Sequence, residues 1–103
     1  MKLMTKELEK KFEKYPLYSQ KDLGENAEVV VVYFNPCGAG TWIITAGERQ
    51  EDGDWLFFGY CHIFEWELGY VSLSELEEIV LPFGLTIERD LHTGNKKLVK
   101  DFI

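Results

Sequence analysis

Cysteine occurs twice, histidine twice and proline three times in 103 residues. Two cysteines cannot build the disulfide framework of a small secreted module, and Cys37 and Cys61 lack the spacing of a zinc motif. The expectation is two buried, reduced thiols with no metal and no cofactor. No run nears the roughly 18 consecutive apolar residues that span a bilayer. The opening MKLMTKELEKKFEKY also lacks the apolar centre of a secretory signal. These absences point to a cytoplasmic chain without a membrane partner. Basic residues almost vanish from the middle: between positions 22 and 91 only Arg49 and Arg89 stand against fourteen acids, a net charge of −12.

What is present is apolar and acidic. Hydrophobic residues make up 46% and aromatics 15%, enough for the core of one small domain spanning residues 1–103. The net charge of −7 disfavours direct nucleic-acid binding. The two ends are the exception. Residues 1–21 hold six lysines against three glutamates, and residues 92–103 hold three lysines against one aspartate. Self-repulsion of the acidic middle costs stability, so that charge either maintains solubility or complements a basic partner.

The pattern predicts a helix over Thr5 to Lys14, capped by Thr5 and ended by Pro16, with Met4, Leu8, Phe12 and Tyr15 as its apolar stripe. Strands are expected over Glu28 to Asn35, Thr41 to Gln50 and Asp54 to Phe64. The first and third are apolar on both faces, so both sides of the sheet need cover. Two short helices and a tail barely supply it, which leaves a residual apolar patch as a contact surface. Ser72 and Glu75 form a capping box for a second helix whose Leu73, Leu76, Ile79 and Val80 face inward and whose Glu75, Glu77 and Glu78 face out. A last strand, Leu85 to Leu91, sends Leu85, Ile87 and Leu91 inward and Thr86, Glu88 and Asp90 to solvent. The sum is an α+β domain of order α-β-β-β-α-β, two short helices on a mostly antiparallel sheet.

Catalytic motifs are weak. Cys61 and His62 are adjacent on a strand and so point to opposite faces, and Cys37 with His62 or His92 has no local signature. The glycine-rich Asn35 to Thr41 segment lacks both the lysine and the following helix of a phosphate loop, and reads as a hairpin turn. The chain is not expected to be an enzyme. Aromatics alternate with carboxylates in Phe64-Glu65-Trp66-Glu67-Leu68-Gly69-Tyr70. Two readings stand: an interface with Trp66 and Tyr70 as anchors beside Glu65, Glu67, Glu75, Glu77 and Glu78, or one inward strand face with Glu65 and Glu67 outside.

Several stretches taken together carry a resemblance: Pro16-Leu17-Tyr18-Ser19-Gln20 with Asp22-Leu23-Gly24, Asp52-Gly53-Asp54-Trp55-Leu56-Phe57-Phe58-Gly59, Glu67-Leu68-Gly69-Tyr70-Val71-Ser72-Leu73-Ser74-Glu75-Leu76, and Ile87-Glu88-Arg89-Asp90-Leu91. Over nearly its whole length the chain resembles a family of bacterial proteins of about a hundred residues, of formerly unknown function, carried on phages, plasmids and other mobile elements. One member is a type II-A anti-CRISPR inhibitor of Cas9. The resemblance implies a non-catalytic inhibitor whose partner is Cas9 or its complex with guide RNA, and the acidic middle agrees with a basic nucleic-acid channel as its target. The alternative is an accessory protein of mobile elements that binds another partner, such as DNA, through Lys6, Lys10 and Lys14 of the first helix.

Overall fold

Helix α1 spans Lys6–Phe12, where the Thr5 hydroxyl accepts the Leu8 N–H at 3.2 Å and satisfies one of the free donors of the first turn. Leu8 and Phe12, four residues apart, are its buried face. The computed structural model describes residues 1–103. Five strands form one sheet: β1 Val31–Phe34, β2 Thr41–Arg49, β3 Trp55–His62, β4 Trp66–Ser72 and β5 Glu88–Arg89. Their order is β4-β3-β2-β1-β5, and every neighbouring pair is antiparallel. Helix α2, Leu73–Glu77, follows β4 directly.

Alternation divides the sheet into two faces. Val31, Tyr33, Trp42, Ile44, Trp55 and Phe57 join Leu8 and Phe12 of α1 and Leu76 of α2 in the main core. The close seat of α1 depends on Gly47: a Cβ there would fall about 3.0 Å from the Phe12 and Phe57 rings. On the other face Val32 and Ile43 pack with Ala27 and Val99 in a smaller cluster, bordered by Tyr60, Trp66 and Phe102. The C-terminal segment is tied down through this cluster, with the Val29 N–H donating to Lys97 O and the Val99 N–H to Ala27 O.

A bulge at Thr45 shifts the β2–β3 register between Ile44 and Ala46. Gln20 secures the same place. Its side-chain amide donates to the carbonyls of Thr45 and Glu28 at 2.8 Å each, and its oxygen accepts the Glu28 N–H at 2.7 Å. This buried side chain holds the Leu17–Ala27 segment against the second face.

The α+β class, the antiparallel sheet and both helices agree with the sequence reading, and the structure adds one strand. Residues 66–72 form β4, so the order is α-β-β-β-β-α-β. The last strand is shorter than its alternation predicts. Only Glu88 and Arg89 pair with β1, and of the three apolar residues expected inside only Ile87 is buried, whereas Leu85 and Leu91 are exposed. Glu88 and Asp90, expected in solvent, are half-buried. Val80 also lies outside the core: α2 stops at Glu77, so the last two expected inward positions, Ile79 and Val80, fall beyond it, the first half-buried and the second exposed. The first strand begins at Val31 rather than Glu28, which instead forms an isolated bridge to Leu98. No helix is long and apolar enough to cross a membrane.

Candidate functional site

β4 is a terminal strand of the sheet, so one of its two sides carries no partner strand, and residues 67–70 are exposed. An edge of seven residues is a ready template for contact with another molecule. Register with β3 fixes what each face presents: His62 lies opposite Trp66, Tyr60 opposite Leu68, and Phe58 opposite Tyr70. These six side chains share the face that α1 and α2 do not cover. The Trp66 ring sits 4.7 Å from His62, and the Tyr70 ring 5.1 Å from Phe58.

Tyr18 completes the surface. Its backbone holds φ at 72°, a left-handed conformation uncommon for a bulky residue, and this presents its ring edge-on to Tyr70 at 6.5 Å. A hydrogen bond with the Tyr18 side chain, helped by burial, raises the Tyr70 phenol above its ordinary value. Leu68 and Tyr70 are each 51% exposed, and Phe64, in the turn before β4, is 95% exposed. Together they form the residual apolar patch that a doubly apolar sheet with little cover leaves behind.

The 64–70 segment forms a strand from Trp66 on, but its aromatic face is not the inward one that the strand reading expects, since Phe64 and Leu68 are exposed. Trp66 and Tyr70 come together on that face, and Glu65 lies exposed in the turn beside them. Glu67 points to the opposite face, across from Cys61. There Gly59 and Gly69 are paired without side chains and floor a shallow depression of about 200 Å³, bordered by Trp42, Cys61, Glu67 and Val71. Burial, and secondarily the Glu67 charge, push the Cys61 thiol up.

The α2 glutamates divide by role. The Glu75 carboxylate accepts the Ser72 N–H at 3.0 Å while the Ser72 hydroxyl accepts the Glu75 N–H at 3.1 Å, the reciprocal capping box expected from sequence. Glu75 therefore serves the helix first, whereas Glu77 and Glu78 are exposed and carry no ion pair. Sequence reasoning did not single out Tyr18, Phe58 or Tyr60 for this surface. The signal for the last two is the alternation Leu56, Phe58, Tyr60, His62, legible once β4 supplies the register.

Cys61 and His62 do point to opposite faces, one packed toward the main core and the other on Trp66. Cys37, expected to be buried, is instead exposed because it lies in the β1–β2 turn, where Asn35 accepts the Cys37 N–H at 2.7 Å, and Cys61 is only half-buried. That segment is the hairpin connection the sequence suggests. No three His, Cys, Asp or Glu side chains gather in a metal-binding arrangement.

A family model described as "Protein of unknown function (DUF2958)" matches residues 3–103. No curated protein and no solved structure matches the chain.

Proposed function

The chain belongs to the DUF2958 family, and from that premise we propose that it is an anti-CRISPR protein that inhibits type II-A Cas9 by binding rather than by catalysis. The observation that carries the reading is the open β4 face. Tyr18, Phe58, Trp66, Leu68 and Tyr70 form a contiguous aromatic and aliphatic surface on a terminal strand, and Glu65 stands at its end. Aromatic anchors supply contact area at low entropic cost, and carboxylates select a basic partner.

Cas9 offers such a partner, since the channel that holds its heteroduplex is positively charged and reads geometry rather than sequence. An acidic protein with an aromatic surface can occupy part of that channel as a competitor of nucleic acid. Glu77 and Glu78 on α2 extend the acidic character beyond the strand without being needed for the fold. The sequence resemblance supports the same reading independently of the charge.

The test is direct binding of purified protein to Cas9, with and without guide RNA, at increasing salt. Saturable binding that weakens with salt and is lost in a Trp66→Ala/Tyr70→Ala variant supports the proposal. Absence of binding to either form, or binding indifferent to those substitutions, refutes it.

A further inference from the structure

At the opposite end of the sheet from β4, a groove of about 600 Å³ runs between α1, the start of β1, β5 and the C-terminal segment. Its cations come from three separate parts of the chain: Lys11 and Lys14 from α1 and the turn after it, Arg89 from β5, and Lys96 and Lys97 from the tail. Folding therefore gathers five of the eleven basic residues around one concavity, in a protein whose net charge is −7. None of the five has a carboxylate within ion-pair distance. The single ion pair of the chain is Arg49 with Glu9, at 3.1 Å, elsewhere on the surface.

Three acids also border the groove, and each has another role. Glu28 accepts a hydrogen bond from the Tyr15 hydroxyl, and the Asp90 carboxylate accepts one from the His92 backbone N–H at 2.8 Å. Glu7 lies in the first turn of α1, where the helix dipole favours a negative charge. The lining thus carries five cations against three carboxylates, a surplus of positive charge with no cation held in an ion pair. Lys96 lies over the Phe102 ring at 5.4 Å, an arrangement that orders its stem and leaves ammonium N–H donors free.

We infer that this groove binds a small polyphosphate of the nucleotide class. Several cations converging on a concavity match several charges on one compact ligand, and the volume lies in the range of small-molecule sites. Duplex DNA, about 20 Å across, cannot enter a groove of this size and would meet the repulsion of the acidic middle. Phosphate esters reach the groove either as free nucleotides or as a single strand, and the compact volume favours the former. This site shares no residue with the β4 surface, so it stands or falls separately.

The test is calorimetric titration at low salt, without divalent cations, using ATP, AMP, inorganic tripolyphosphate and a single-stranded 12-mer as probes. ATP and tripolyphosphate should bind saturably and AMP more weakly. The Lys11→Gln/Lys14→Gln/Lys96→Gln/Lys97→Gln variant should lose at least about ten-fold in ATP affinity, because it removes four of the cations facing the phosphates. A control of equal charge change outside the groove, Lys2→Gln/Lys6→Gln/Lys10→Gln/Lys100→Gln, should bind as the parent does. Failure of ATP and tripolyphosphate to bind overturns the inference. Equal loss in the control reduces it to net charge and overturns it, and binding of the 12-mer alone assigns the groove to a strand instead.

Discussion

Replacing Tyr70 by alanine separates the fold from the surface it carries. The ring is 51% exposed and touches Phe58 and Tyr18 at 5.1 and 6.5 Å. Full burial of a large apolar side chain contributes about 1.5–3 kcal/mol, so a half-buried ring contributes about 1 kcal/mol. Its aromatic contacts add about 0.5–1 kcal/mol, for a total cost near 2 kcal/mol. A domain with about 5 kcal/mol of stability, the low end for natural proteins, would keep more than about 99% of its molecules folded after that loss. At that stability, unfolding does not measurably lower the amount of folded protein in an assay. If Tyr70 anchors the partner, its truncation costs about 2 kcal/mol of binding, roughly 30-fold in affinity. The assay is Cas9 cleavage titrated with parent, Tyr70→Ala and Tyr70→Phe proteins, with urea denaturation of each. Tyr70→Phe keeps the ring and should stay within a few-fold of the parent. Leu91→Ala, which removes an exposed apolar group at the other end of the sheet, should have no effect. An inhibition constant for Tyr70→Ala within two-fold of the parent, with the fold intact, refutes the anchor role.

Three further outcomes are expected. Charge reversal in Glu77→Lys/Glu78→Lys should weaken inhibition and flatten its salt dependence while circular dichroism stays unchanged, since both side chains are exposed and unpaired; unchanged inhibition argues against electrostatic competition. Gln20→Met keeps the side-chain length but strips hydrogen bonds from the backbone of Glu28 and Thr45, and should lower the urea-derived stability by about 2–4 kcal/mol; a loss below about 1 kcal/mol contradicts the bracing role given to Gln20. Asp54 accepts the Ser74 hydroxyl at 2.6 Å and the N–H groups of Ser74 and Trp55, and the Ser74 hydroxyl chiefly holds its carboxyl below the usual range. Because its folded value lies below its unfolded one, the stability it contributes is present above that range and fades as pH falls through the folded value. The stability gap between parent and Asp54→Asn should therefore be constant above about pH 5 and shrink below about pH 4, and a gap that widens on acidification rejects this linkage.

Local signals that rest on neighbouring residues were legible in the sequence. The Ser72–Glu75 capping box, the Thr5 cap and the β1–β2 hairpin are each specified within a few positions and form as expected. What was not legible depends on distant pairing. β4 mixes Glu67 and Gly69 with aromatics, so its strand identity comes from register with β3 rather than from its own pattern. β5 shows the converse: seven residues alternate, yet only Glu88 and Arg89 pair, with Phe34 and Tyr33 at the end of β1. The left-handed backbone of Tyr18 and Phe83 is invisible to periodicity, and it turns Tyr18 onto Tyr70 and leaves Phe83 98% exposed. The candidate surface was half legible. Trp66, Tyr70 and the glutamates stand out by composition, but that Glu67 faces away and that Tyr18 and Phe58 join the patch needed the fold. The basic groove had only a trace in sequence, the lysines at both ends, whose convergence is a tertiary fact.

The most direct test of the central claim is DNA cleavage by reconstituted type II-A Cas9 and guide RNA, titrated with this protein added before or after guide loading. The account predicts saturable inhibition that an unrelated protein of equal negative charge does not reproduce, with the order of addition locating the blocked step. Undiminished cleavage across several Cas9 orthologues, or equal inhibition by the charge-matched control, would contradict it.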